Sequence, residues 1–209
     1  MKKNIQILQN IVSRKGSSKV LTFSIPHVFK ALQLLSEEKF VSRATLGKEI
    51  HLGEGAVKTL ISHLKEAKMI QSTRSGNFLT EKGKKFTVQL QKIIPKECKI
   101  ERNGITQGKN NHAIILKKYS STIKTGLEQR DYAIMYGSSG CITLMFKNNR
   151  FVFPGEDKDC LIKEKKTKQS LVKELEPSEG DIIIISSSDD PFVAEISAKN
   201  SALWTIATN

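Results

Sequence analysis

Residues 54–64 read EGAVKTLISHL, and their polar members are of the kinds that hold phosphate oxygens. Thr59 and Ser62 offer hydroxyls, Lys58 a point charge, and Gly55 a main chain that an anion can approach closely. If the segment is helical, Val57, Leu60, Ile61 and Leu64 fall at i, i+3, i+4 and i+7 and form a buried stripe. At ~100° per residue the opposite side then carries Gly55, Thr59 and Ser62, flanked by Lys58 and His63. Glu54 runs against this chemistry, because a carboxylate repels phosphate. Its place at the helix start suits the N-terminal dipole better than the alternative, accepting from a cytosine amine. Taken alone, such a stripe describes any amphipathic helix with a solvated outer side. Its surroundings decide the matter.

Downstream, residues 69–83 read MIQSTRSGNFLTEKG, two short apolar runs around a small polar insert. This spacing predicts a β-hairpin. Arg74 falls at or near its tip, beside Gly76, where a guanidinium can reach into a narrow minor groove. Thr80 and Glu81 then open a helix with Phe86, Leu90 and Ile93 on one side. Lys82, Lys84 and Lys85 at that helix start oppose its dipole, which favours an external anion. Upstream, residues 26–39 place Val28, Ala31, Leu32 and Leu35 on one face after Pro26. Residues 43–50 form a short helix capped by Ser42, and His51, Leu52 and Gly53 break the chain before residue 54.

Two helices joined by a tight, glycine-containing turn are a helix-turn-helix arrangement. Three helices, a hairpin and a fourth helix follow the winged-helix plan. The words LGEGAVKTLISHLKEAKMI and STRSGNFLTEKGKKF closely resemble the recognition helix, wing and following helix of archaeal and bacterial winged-helix regulators, over residues 24–94. Further on, EQRDYAIMYGSSGCITLMFKNNRFVFPGE and EGDIIIISSSDDPFVAEISAKNSAL are similar to the C-terminal part of an archaeal family. That family pairs a winged helix with an α/β domain of uncharacterised function. The residues that carry this second resemblance are Arg130, Asp131, Gly140, Thr143, Leu144, Pro154, Gly155, Gly180 and Asp181. It implies an architecture and brings no assigned chemistry.

Charge agrees with the N-terminal reading. The chain of 209 residues has a net charge of +13. Residues 1–95 hold 17 Lys and Arg against 6 acids, a net of +11, whereas the remainder holds 17 against 15. Such asymmetry points to a polyanionic partner for the first half. The basic run at 13–19 reads either as an arm that tracks DNA or as solvated chain. No stretch approaches the ~20 apolar residues needed to cross a bilayer. MKKNIQILQNIV imitates a secretion signal, but Gln6, Gln9 and Asn10 interrupt it and no cleavage site follows, so a cytoplasmic protein is expected. Cys98, Cys141 and Cys160 are an odd, scattered set that fits a reducing compartment and argues against both a disulfide framework and a zinc ribbon. Histidines 27, 51, 63 and 112 lie too far apart for a metal motif.

The second half mixes strands with helices. Strands are expected at 113–116, 142–146, 150–153 and 181–185, with Asn148 and Asn149 as a two-residue turn. Helices are expected at 121–130, 169–175 and 191–206. Gly137 to Gly140 reads as a plain loop rather than a phosphate cradle. Ser186, Ser187, Ser188 and Asp189 follow a buried strand and open the last helix, where a small anion or sugar could bind. Capping of that helix by Asp189 or Ser188 accounts for the same residues and is the stronger reading. Asp131, Asp181 and Asp189 show no spacing that makes them a catalytic set.

The expected fold is α+β. A basic segment at 1–23 precedes a winged helix-turn-helix domain at 24–94. A linker or loose first strand at 95–111, with Cys98, Lys99 and Ile100 its only strand-like piece, then leads to a small α/β sandwich-like domain at 112–209 that senses a ligand or dimerises. The expected function is a sequence-specific regulator of transcription that binds duplex DNA through Gly55, Lys58, Thr59, Ser62, His63, Arg74, Lys82, Lys84 and Lys85. A homodimer is expected, through the helix at 84–94, the segment at 5–12 or the last helix, together with a small-molecule effector. No catalytic residue, metal or cofactor is expected. The alternatives are a small-molecule enzyme domain fused to an autoregulatory winged helix, and a winged helix that binds protein.

Overall fold

The computed structural model describes residues 2–13 and 21–209. All of the basic run at 13–19 except Ser13 therefore lies outside the described residues. Two compact units are present, Met1–Leu90 and Gln91–Asn209. Mixed α and β structure fills them, with eight α-helices and two sheets among the described residues.

In the first unit, α1 (Lys2–Ile11) buries Ile5, Leu8 and Ile11. The apolar side that was a candidate for dimerisation is thus covered within the protomer, against α2 (Ile25–Glu37). Pro26 stands in the first turn of α2, and the amide and hydroxyl of Ser24 meet Nδ1 of His27 at 3.3 and 2.9 Å. Ser42 caps α3 (Arg43–Glu49) by accepting from the amide of Thr45. His51, at φ 53°, turns the chain into α4 (Glu54–Glu66). Val57, Leu60, Ile61 and Leu64 are buried as their spacing predicts.

Strands β1 (Ile70–Thr73) and β2 (Gly76–Leu79) form the hairpin, with Thr73 paired to Gly76 and Arg74-Ser75 as its turn. Val41 adds a bridge to Asn77, each amide donating to the other's carbonyl at 2.8 Å. A Cβ on Gly76 would stand 2.9 Å from the Val41 carbonyl oxygen, and its φ of 135° suits glycine alone. Helix α5 (Glu81–Gln91) comes so close to the residue before β1 that a Cβ on Gly83 would lie 2.1 Å from the Met69 carbonyl oxygen.

The second unit is built on one antiparallel sheet of order β3-β4-β7-β5-β6. Its strands are β3 (Glu97–Ile100), β4 (Asn110–Leu116), β5 (Gly140–Lys147), β6 (Arg150–Val152) and β7 (Ile182–Ser188). Alternation along the strands splits the core in two. Ala113, Ile115, Leu144, Ile183 and Ile185 face α7 (Lys165–Leu175), which adds Leu171 and Leu175. The other face is covered by α6 (Leu127–Ile134) and α8 (Pro191–Thr208). Asn148 and Asn149, at φ 52° and 55°, make the expected two-residue turn between β5 and β6.

Four expectations change here. The segment at 95–111, expected as a linker or a loose first strand, holds β3, paired along its length with β4 from Glu97–Ile114 to Ile100–Asn111. The helix expected at 121–130 starts at Leu127, because Gly126 adopts a left-handed φ of 78° after a 3-10 turn at Ser120–Thr122. Helix α7 begins four residues early, at Lys165. Strand β7 does not stop at Ile185 but runs through Ser188, laddered on both sides to Asn110–His112 and Gly140–Cys141.

Candidate nucleic-acid interface

Helix α4 and the β1–β2 hairpin form two walls of a cleft of about 590 Å³, closed by the start of α3. Lys58, Ile61, Ser62 and Lys65 line it from α4, Ser42 and Arg43 from α3, and residues 72–77 from the hairpin. Four cations therefore converge on one concavity with no acidic residue among its lining. Ser72 donates to Oδ1 of Asn77 at 2.6 Å while the Asn77 amide donates to Val41 at 3.0 Å. This network fixes the hairpin below its turn and leaves Arg74 exposed at the tip. The arrangement can neutralise several closely spaced phosphates and offer hydroxyls between them.

Of the residues expected at the interface, Lys58, Ser62 and Arg74 come together in the cleft. Gly55 and Thr59 lie earlier on α4. Gly55 is exposed, with nothing within 4 Å of an added Cβ, and the Thr59 hydroxyl donates to its carbonyl at 3.1 Å. His63 does not belong to the outer face. It is 8% exposed, its Nδ1–H donates to the Ile11 carbonyl at 2.6 Å, and its ring meets Phe23 edge-on at 5.8 Å. Position 63 turns toward α1, which the stripe on α4 could not reveal. The Lys82 ammonium donates to the Ala67 carbonyl at 2.7 Å, closing the C-terminus of α4. Lys84 pairs with Glu81 at 2.9 Å, and that lysine holds the Glu81 carboxyl below its ordinary range. Lys85 is exposed and lies outside the cleft lining.

Sequence reasoning missed Arg43, Lys65, Ser72, Thr73 and Ser75. A signal for Lys65 was present, since Lys58, Ser62 and Lys65 follow i, i+4 and i+7. Arg43 gave none, because only the packing of α3 brings it near the hairpin.

In the second unit the Ser186–Ser188 run serves the sheet. All three serines are buried. Ser186 donates to Ser138 at 2.8 Å and Ser187 to Asn111 at 2.7 Å, while the Ser188 hydroxyl accepts from the Asp190 amide at 3.2 Å. Asp190, not Asp189 or Ser188, caps α8 by accepting from Phe192 and Val193. Ser138 ties the Gly137–Gly140 loop down through the carbonyls of Gly140 and Ser187, at 2.6 and 3.0 Å. Asp181 is wholly buried and accepts from Lys117 at 2.7 Å, an internal ion pair at the opposite end of β7 from Asp189. Burial pushes the thiols of Cys141 and Cys160 up to about 12 and that of Cys98 to about 11, which marks them as poor nucleophiles. Among the described residues no group of His, Cys, Asp and Glu is placed to hold a metal ion. None of the described helices is long and apolar enough to cross a membrane.

A buried charge cluster went unforeseen. Lys199, 1% exposed, meets Glu97 and lies 3.3 Å from Glu195, and Glu97 also accepts from Nε2 of His112 at 3.1 Å. Burial opposes the charge on Glu97, but Lys199 and His112 outweigh it and hold the carboxyl well below its usual range.

Two domain families account for most of the chain. Residues 27–85 match the PH0730-like N-terminal domain, and residues 107–206 match a domain of unknown function, DUF4443. In that order the matches support an archaeal-like two-domain family. A solved structure, hypothetical protein PH0730 from Pyrococcus horikoshii OT3, is similar over 86% of this chain and 91% of that one. The two share 26% identity with a TM-score of 0.70. No curated protein matches this chain.

Proposed function

We propose that the first unit is a winged helix-turn-helix domain that binds duplex DNA, and that the chain is a non-enzymatic, cytoplasmic regulator of transcription. The observation that carries this reading is the cleft between α4 and the hairpin, with Arg43, Lys58, Lys65 and Arg74 and no lining carboxylate. Helix α4 enters the major groove with Gly55, Thr59 and Ser62 toward it. The four cations hold flanking phosphates, and Arg74 follows the backbone into the adjacent minor groove. The second unit senses a small ligand and pairs two copies, which sets the spacing of two half-sites.

Selection of genomic fragments by the full chain tests this. A preferred sequence should emerge. Lys58→Ala should weaken binding to all sequences alike, whereas Thr59→Ala and Ser62→Ala should alter the preference. Fragments recovered without any preference, or three variants that bind as the native chain does, would overturn the assignment of α4 as the reading helix.

A further inference from the structure

We infer that the second unit binds a small phosphate-class anion in a cavity between the first turn of α8 and the β3–β4 ribbon. The cavity measures about 70 Å³ and is lined by Lys99, Lys109, Asn110 and His112, with Pro191 and Ala194 of α8 closing it. At ~15 Å³ for each water-sized centre, this is room for roughly four or five oxygen-sized atoms, the size of a tetrahedral anion.

His112 is the anchor. It is 6% exposed, and its Nε2 is held by Glu97. Its Nδ1 is buried without a hydrogen-bond partner. A buried polar atom left unpaired is costly, so a partner supplied by a ligand is favoured. Glu97 is a charged acceptor, tied on its other oxygen to Lys199. With Nε2–H on that carboxylate, Nδ1 is left as an acceptor, which the P–OH of a hydrogen phosphate can meet.

Lys99 stands directly opposite His112 in the β3–β4 ladder, and Lys109 leads into β4. Neither lysine forms an ion pair among the described residues, and both are exposed. No carboxylate is among the lining of the cavity. Of the acids at the start of α8, Asp190 accepts from the amides of Phe192 and Val193, and the Asp189 carbonyl accepts from Asn110 at 2.8 Å. Two free ammonium groups beside one imidazole suit a dianion better than a carboxylate. The inference rests on reading the second unit as ligand-sensing, and its test involves no DNA.

The full chain, labelled with nitrogen-15 at histidine, is titrated with inorganic phosphate at constant ionic strength while the Nδ1 resonance of His112 is followed. A saturable shift is expected. Lys99→Ala/Lys109→Ala should weaken it by roughly tenfold or more, and Lys58→Ala/Arg74→Ala should leave it unchanged. Both lysines are exposed, so the double variant should fold as the native chain does. Glycerol phosphate binding tighter than inorganic phosphate would assign the site to the phosphate end of a larger metabolite. The reverse order would assign it to the free anion. No response of His112 at millimolar phosphate, an equal response in the Lys99→Ala/Lys109→Ala protein, or acetate binding as well as phosphate would each overturn the inference.

Discussion

At the scale of single residues, His27 governs an acid response of the first unit and His63 ties α4 to the end of α1. Burial, helped by Lys30, lowers the His27 imidazole from 6.5 to about 4. The folded chain therefore keeps His27 neutral where the unfolded chain takes up a proton. Its contribution to stability is complete above pH 6.5 and is lost as pH falls from 6.5 toward 4. By pH 5 the loss should reach about 2 kcal/mol. His27→Gln keeps a capping-box partner for Ser24 without that titration, so the drop in melting temperature between pH 7 and pH 5 should shrink. His63 acts through its bond to Ile11 and its packing on Phe23. His63→Ala should cost about 1–3 kcal/mol of stability while leaving the salt dependence of DNA binding untouched. Loss of a phosphate contact would do the opposite, which separates a packing residue from an interface residue in one pair of measurements.

At the scale of elements, glycines report how closely α4, the hairpin and α5 approach their neighbours. A Cβ at position 83 would overlap the backbone of Met69, whereas one at position 55 would meet nothing. Gly83→Ala should therefore destabilise the first unit by about 1–3 kcal/mol in denaturant titration. Gly55→Ala should raise stability by on the order of 0.5 kcal/mol and still weaken DNA binding if the backbone there faces a phosphate. Both elements were legible in the sequence, and for the same reason. The stripe Val57–Leu60–Ile61–Leu64 and the polar insert around Gly76 are local patterns that need no tertiary partner to be recognised. The side of α4 that meets the hairpin was legible only in part. Lys58 and Ser62 follow from helical spacing, but burial of His63 depends on α1, some fifty residues earlier. Strand β3 was legible as the strand-like piece at 98–100, but its place in the sheet comes from pairing with β4, which no local signal announces. The serines of β7 escaped because polar side chains in a buried strand are stabilised by Ser138 and Asn111, and no local signal announces such partners.

At the scale of the whole molecule, charge and architecture divide the work. The first 95 residues hold nearly all of the excess positive charge. The second unit instead nearly balances its charges, and the two it buries, Asp181 and Lys199, are paired with Lys117 and Glu97. The charge divides where two successive domain families divide the chain. The central claim is that the cleft between α4 and the hairpin is a phosphate-binding surface for duplex DNA. Fluorescence anisotropy of a labelled duplex, measured across a salt series, tests it most directly. Four lining cations predict that log K falls with log salt at a slope of about −3 to −4. Replacing Arg43, Lys58, Lys65 and Arg74 together by alanine should flatten that slope toward zero. A native slope already near zero, or a steep slope that survives the fourfold replacement, would contradict the account.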